Sequence, residues 1–87
     1  MNASRYNGGV KATKYFISVR NRPDRAIIRE EWILRAVSSP EYEVIQGDGR
    51  IRRWIKVEAH AGRYLRVILL ADGETVHNAF FDRGFKP

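Results

Sequence analysis

Cysteine is absent from the 87 residues. Its absence excludes a disulfide framework, a cysteine-based zinc site and a thiolate nucleophile. Histidine is scarce, with two residues, His60 and His77, too few for a convincing metal site. No GxGxxG, P-loop or HExxH pattern occurs, so the sequence implies neither a cofactor nor a metal. No apolar run reaches the roughly 20 residues of a membrane span. The opening MNASRYNGGV lacks the apolar core of a signal peptide, and the expectation is a cytoplasmic protein with no membrane partner.

Acidic residues are also outnumbered. Sixteen Lys and Arg against ten Asp and Glu give a net charge of +6. Arginine predominates among the cations, and its planar fork suits phosphate. Such an excess favours a polyanion or an acidic protein partner.

The length allows one domain with one thin core. Residues 1–13 are polar and glycine-rich and read as a flexible N-terminal tail. Residues 14–87 read as a single α+β domain. KYFISV at 14–19 has strand-like composition. A helix is predicted from Asp24, as N-cap, to Ser38, with Ile28, Trp32, Ile33, Ala36 and Val37 on its buried stripe. Strands follow at 42–46, 50–59, 63–71 and 74–81, separated by turns at Gly47–Gly49, His60–Gly62 and Asp72-Gly73. His60, in its turn, is expected to be solvated. The fold class is therefore α+β, an antiparallel meander of four or five strands with a helix packed on one face.

Short turns fix register. A two-residue loop at Asp72-Gly73 puts Ile68 opposite His77, Arg66 opposite Ala79 and Tyr64 opposite Phe81. A three-residue loop at His60–Gly62 puts Lys56 opposite Arg66 and Trp54 opposite Ile68. One face then carries Ile51, Ile55, Val57, Leu65, Val67, Leu69, Val76 and Phe80, the expected core. Arg53 and Asn78 are its polar exceptions, with Arg53 facing Glu43. The other face carries Arg52, Trp54, Lys56, Glu58, Tyr64, Arg66, Ile68, Leu70, Thr75 and His77. Cations interleaved with aromatics suit a sugar-phosphate chain with stacking bases. Arg52, Trp54, Lys56 and Tyr64, with Lys86 of the basic tail, are the nucleic-acid-binding candidates. His77 is the candidate general acid or base. Arg66 is the candidate stabiliser of phosphorane charge, with Arg83 a further phosphate contact.

Three segments echo a known family: Ile28 with Glu31-Trp32-Ile33, then Tyr64-Leu65-Arg66-Val67, then Thr75-Val76-His77 with Asp82-Arg83. In this order of elements the chain resembles the RelE-like and BrnT-like toxins of bacterial type II toxin–antitoxin pairs. The resemblance covers roughly residues 26–86. It implies a metal-independent endoribonuclease acting on mRNA, ribosome-bound mRNA included, with a cognate antitoxin as partner. Carried over by position, it points to Lys56, Arg66, His77 and Arg83. BrnT-like members carry His and Arg together in an early helix, whereas Tyr15–Arg25 here supplies arginine alone. Two rival readings stand beside it, a non-catalytic nucleic-acid-binding domain and a protein-interaction module that docks an acidic partner.

Overall fold

The computed structural model describes residues 3–6 and 10–87, the first four by backbone alone. The chain runs β1 (Ala3–Tyr6), β2 (Val10–Thr13), α1 (Lys14–Val19), α2 (Pro23–Ala26), α3 (Glu30–Ser38), β3 (Tyr42–Ile45), β4 (Ile51–Val57), β5 (Arg63–Leu69) and β6 (Val76–Phe81). The fold is α+β. The strands form one mixed sheet of order β1-β2-β6-β5-β4-β3. From β3 to β6 it is the expected antiparallel meander. β2 joins β6 in parallel through Ala12 and Val76, and β1 pairs antiparallel with β2.

The N-terminal segment and the residues after it depart from expectation. Strands occupy 3–6 and 10–13 where a tail was expected, and the rest of that segment, residues 1, 2 and 7–9, lies outside the described residues. KYFISV is a helix, not a strand. Thr13 caps it, its hydroxyl accepting from the Phe16 amide at 3.2 Å. Phe16 and Val19, three apart, turn into the core. Burial of that pair on a helical face outweighs the strand preference of β-branched types. The helix expected over 24–38 is broken in two. Pro23 starts α2, Arg22 rather than Asp24 holds the cap position, and α3 begins afresh after Arg29. The Arg20 guanidinium donates to the carbonyls of Arg25 and Ile28, supporting the break. The apolar stripe still holds, with Ile28, Trp32, Ile33 and Ala36 buried.

The core lies between the helices and one face of the sheet. It gathers Phe16, Val19, Ile28, Ile33, Ile55, Val57, Leu65, Val67, Leu69 and Val76. Each large aliphatic or aromatic side chain enclosed there is worth about 1.5–3 kcal/mol. Arg53 projects from this face at the sheet margin. It pairs with Glu43 at 2.7 Å and donates to the Val37 carbonyl, as its position opposite Glu43 predicts.

Two registers differ from expectation. The β4–β5 loop spans 58–62: Glu58–His60 form a 3₁₀ turn, and Ala61 and Gly62 take φ of 57° and 68°. Lys56 therefore faces Tyr64 and Trp54 faces Arg66. The shift is two residues, so every side chain keeps its face. Between β5 and β6 a bulge intervenes: Leu69 pairs with Val76 and Ile68 with Asn78, leaving His77 as the extra residue. Beyond it the faces exchange. Ala79 and Phe81 fall on the core side, and Asn78 and Phe80 on the other, the reverse of the expected assignment.

Ala61 occupies the left-handed region at a strain of about 1 kcal/mol that glycine would not bear. Ala61→Gly should stabilise the fold by up to about 0.5 kcal/mol, after allowance for the freer unfolded chain. Chemical denaturation tests this, and a midpoint lowered at constant m-value contradicts it.

Candidate nucleic-acid interface

On the side opposite the main core, the sheet carries a cross-strand row running from β3 to β6: Tyr42, Trp54, Arg66 and Phe80. Arg52, Trp54 and Lys56 alternate along β4 on this side. The last six residues fold back over the centre of the row. Phe85 stacks on Trp54, with centroids 4.5 Å apart and planes 17° from parallel. The rings of Tyr42 and Tyr64 meet Phe85 edge-on at 5.3 and 5.1 Å. Trp54 is consequently 3% exposed, although it faces away from the main core.

Asp82 sits beneath this aromatic cluster. One carboxylate oxygen accepts from Trp54 Nε1 at 3.0 Å and from Arg66 Nε and Nη2 at 2.9 and 2.7 Å. The other oxygen accepts from the Gly84 amide. The Asp82 amide in turn donates to the Tyr64 carbonyl. Burial alone would raise the carboxyl pKa, but the Trp54 and Arg66 hydrogen bonds and the Arg66 charge hold it below the ordinary aspartate value. Arg66 also lies 5.5 Å from the Trp54 ring centre and 5.1 Å from that of Phe80. Its charge is thus neutralised within the chain.

His77 is placed elsewhere. Its Nδ1 lies 3.1 Å from the Thr13 hydroxyl, and its ring lies beside Tyr15 at 5.2 Å. Burial, and then the nearby charge of Arg50, lowers its pKa from the ordinary imidazole value. The expected pairing of His77 with Ile68, one step from Arg66, is replaced by the bulge. His77 and Arg66 are each engaged with a different partner.

The remaining candidates are dispersed. Arg52 donates to the Gln46 side-chain oxygen at 2.9 Å. Lys56 is exposed and 3.8 Å from Glu58, an ion pair worth little between such open groups. Tyr64 is half-buried between Tyr42 and Phe85. Its phenol pKa is raised, first by burial and then by Tyr42. Lys86 is exposed in the tail. Arg83 is exposed at the other end of the layer, where it lines a groove of about 210 Å³ with Arg63, His60, Phe80, Phe81 and Ile27. His60 is not a solvated spacer. It stacks on Phe81 at 4.2 Å with planes 16° apart. A larger cavity, about 480 Å³ between α3 and β4, is lined by Glu31, Glu41 and Glu58 as well as Arg35 and Lys56. Its carboxylates make it a poor seat for an anion. Among the described residues no group of His, Asp and Glu is placed to hold a metal, and no helix is long and apolar enough to cross a membrane.

The chain matches no protein-family model, no curated protein and no solved structure. Function must therefore be read from the site alone.

Sequence reasoning missed Arg63, Asp82 and Phe85. The Asp-Arg-Gly-Phe ending contained a signal, since an aspartate two residues before glycine makes the local turn seen at Gly84. An isolated Phe in a polar tail was a second signal.

His77 and the carboxylates Asp72 and Asp82, all with lowered pKa values, act in the same direction on stability. His77 has a folded pKa below its unfolded 6.5, so its contribution is intact above that pH and is lost as pH falls from there through the folded value. Asp82 has a folded pKa below 3.8, so its contribution is present above 3.8 and disappears as pH falls through the lower value. Unfolding free energy should decline in two steps on acidification. His77→Gln should abolish the step beginning near 6.5, and Asp82→Asn should shrink the one below 3.8, which Asp72 shares because its hydrogen bonds with Thr75 hold its carboxyl below the ordinary value. Persistence of the upper step in His77→Gln refutes the assignment to this imidazole.

Proposed function

We propose that the protein binds single-stranded nucleic acid without cutting it, acting in the cytoplasm with RNA as its partner. The observation that carries this reading is the fate of the charges. Every aspartate and glutamate except Glu30 has a hydrogen-bond or ion-pair partner within the chain. Among the described side chains, Lys14, Arg22, Arg63, Arg83 and Lys86 have no such partner. The surplus positive charge is thus left on the surface, mostly as arginine, where it neutralises phosphate and releases counterions.

The nuclease reading would need His77 and Arg66 at one phosphate. His77 is engaged by Thr13 and Arg66 by Asp82, which favours binding over cleavage. Anisotropy with a labelled single-stranded RNA tests the proposal. Three phosphate contacts give a log–log salt slope of about −2. Arg22→Ala and Lys86→Ala should each make the slope shallower, and the RNA should be recovered intact. Binding indifferent to salt contradicts the proposal. Cleavage that is lost in His77→Ala restores the toxin-type nuclease in its place.

A separate observation favours a second reading, protein docking. β3 is an edge strand with Tyr42, Val44 and Ile45 all exposed, Ile45 at 66%. Such an edge accepts a partner strand through its free backbone groups. Val44→Lys together with Ile45→Lys should weaken capture of a protein partner while leaving the RNA salt slope unchanged. Capture unaffected by the pair of substitutions removes the edge from consideration.

A further inference from the structure

The arginines whose side chains are described divide into those that are engaged and those that are not. Arg20 and Arg35 donate to carbonyls. Arg25, Arg29, Arg50, Arg53 and Arg66 meet carboxylates, and Arg52 meets Gln46. Arg22, Arg63 and Arg83 remain. Two of these three line the same groove.

Topology explains the convergence. Arg63 opens β5, and Arg83 lies two residues past the end of the antiparallel β6. Both therefore emerge at one end of the sheet. Leu65, two residues after Arg63, pairs with Phe81, two residues before Arg83. By strand alternation Arg63 projects on the same side as Leu65, and Arg83, in the turn after β6, borders the same groove. Between them lies a flat aromatic floor, Phe81 with His60 stacked on it. Ile27, 51% exposed in the break between α2 and α3, forms an apolar lip. Asp24 also borders the groove, but its carboxylate is paired with Arg25.

Two unpaired guanidiniums beside a ring surface suit a phosphate joined to a planar group. The groove is smaller than the roughly 300 Å³ at which sites enclose a whole drug-sized ligand. It admits one phosphoryl group and the edge of a ring. A terminal phosphate monoester carries about −1.5 to −2 charges near neutrality and presents three acceptor oxygens. An internal diester carries a single charge. Two arginines therefore match the terminal group better.

We propose that the groove between Arg63 and Arg83 binds the terminal phosphate of a nucleic-acid strand, its end nucleotide resting against His60 and Phe81. The proposal rests on the nucleic-acid-binding reading and adds a preference for phosphorylated ends. The test compares one single-stranded RNA in three forms: 5′-phosphorylated, 3′-phosphorylated and with hydroxyls at both ends. One phosphorylated form should bind about tenfold more tightly than the hydroxyl form. Arg63→Ala and Arg83→Ala should each erase most of that difference. The matching nucleoside monophosphate should compete better than inorganic phosphate, because it also uses the ring floor.

Equal binding of all three forms overturns this inference and leaves the general RNA-binding reading standing. Failure of all three to bind overturns both. A preference that survives in both arginine variants places the end site elsewhere and refutes the groove. A phosphoserine peptide competing as well as the nucleoside monophosphate refutes the nucleic-acid assignment. Far-ultraviolet circular dichroism of the variants, with Arg63→Lys and Arg83→Lys as charge-retaining controls, separates loss of the site from loss of fold. The lysine variants should regain part of the preference, and their failure to do so in folded protein counts against a phosphate contact.

Discussion

Asp82 holds the second face of the sheet together. A single carboxylate just past β6 gathers donors from β4 and β5 and from the chain that follows it. Charge-assisted hydrogen bonds of this kind are about twice as strong as neutral ones. They are stronger still where water is partly excluded, and the Asp82 side chain is 11% exposed. The consequences extend outward. With Asp82 fixed, Gly84 turns the chain back, and Phe85 arrives over Trp54. Removing the carboxylate would leave Arg66 and the Trp54 indole without their acceptor and the tail without its anchor. This small domain thus has two apolar layers, the helix-covered core and a thin aromatic layer on the reverse side.

The same arrangement determines what the reverse side can do chemically. Arg66 would stabilise a phosphorane only if its charge faced solvent, yet it is spent on Asp82. Trp54 would stack on a base only if a ring face were open, yet Phe85 lies on it. Placing like side chains on one face does not by itself make a site. Their charges and ring faces must also be unspent, and here the chain has spent them on its own stability.

How far the sequence revealed this depends on the kind of signal. Period-2 alternation made β4 and β5 legible, and the two-residue slip in the loop at 58–62 preserved that pattern because the slip is even. The bulge at His77 is an odd slip, and it moved Asn78, Ala79, Phe80 and Phe81 to the faces opposite those expected. No residue preference marks an extra residue within VHNAFF. KYFISV was misread for a different reason. Its strand-like composition is overridden by Thr13 as a cap and by the three-residue spacing of Phe16 and Val19, both visible in the sequence but weaker than six consecutive residues of one propensity. The Arg53–Glu43 pair was legible because it needs only the register of a tight Gly-Asp-Gly hairpin.

The charge balance joins these threads. A +6 total says nothing of where positive charge is available, since several arginines here are structural: Arg20 supports a helix break, Arg53 ties the sheet margin to α3, and Arg66 anchors the tail. Such residues lose their fit for a ligand in proportion to how well they serve the fold. The arginines left over are therefore the better indicators of function. Arg63 and Arg83 are both left over at the same end of the same layer, beside an aromatic pair that the main core encloses on one side only. Neither is paired with His77, which accords with the proposed holding of a phosphate rather than breaking of its ester bond.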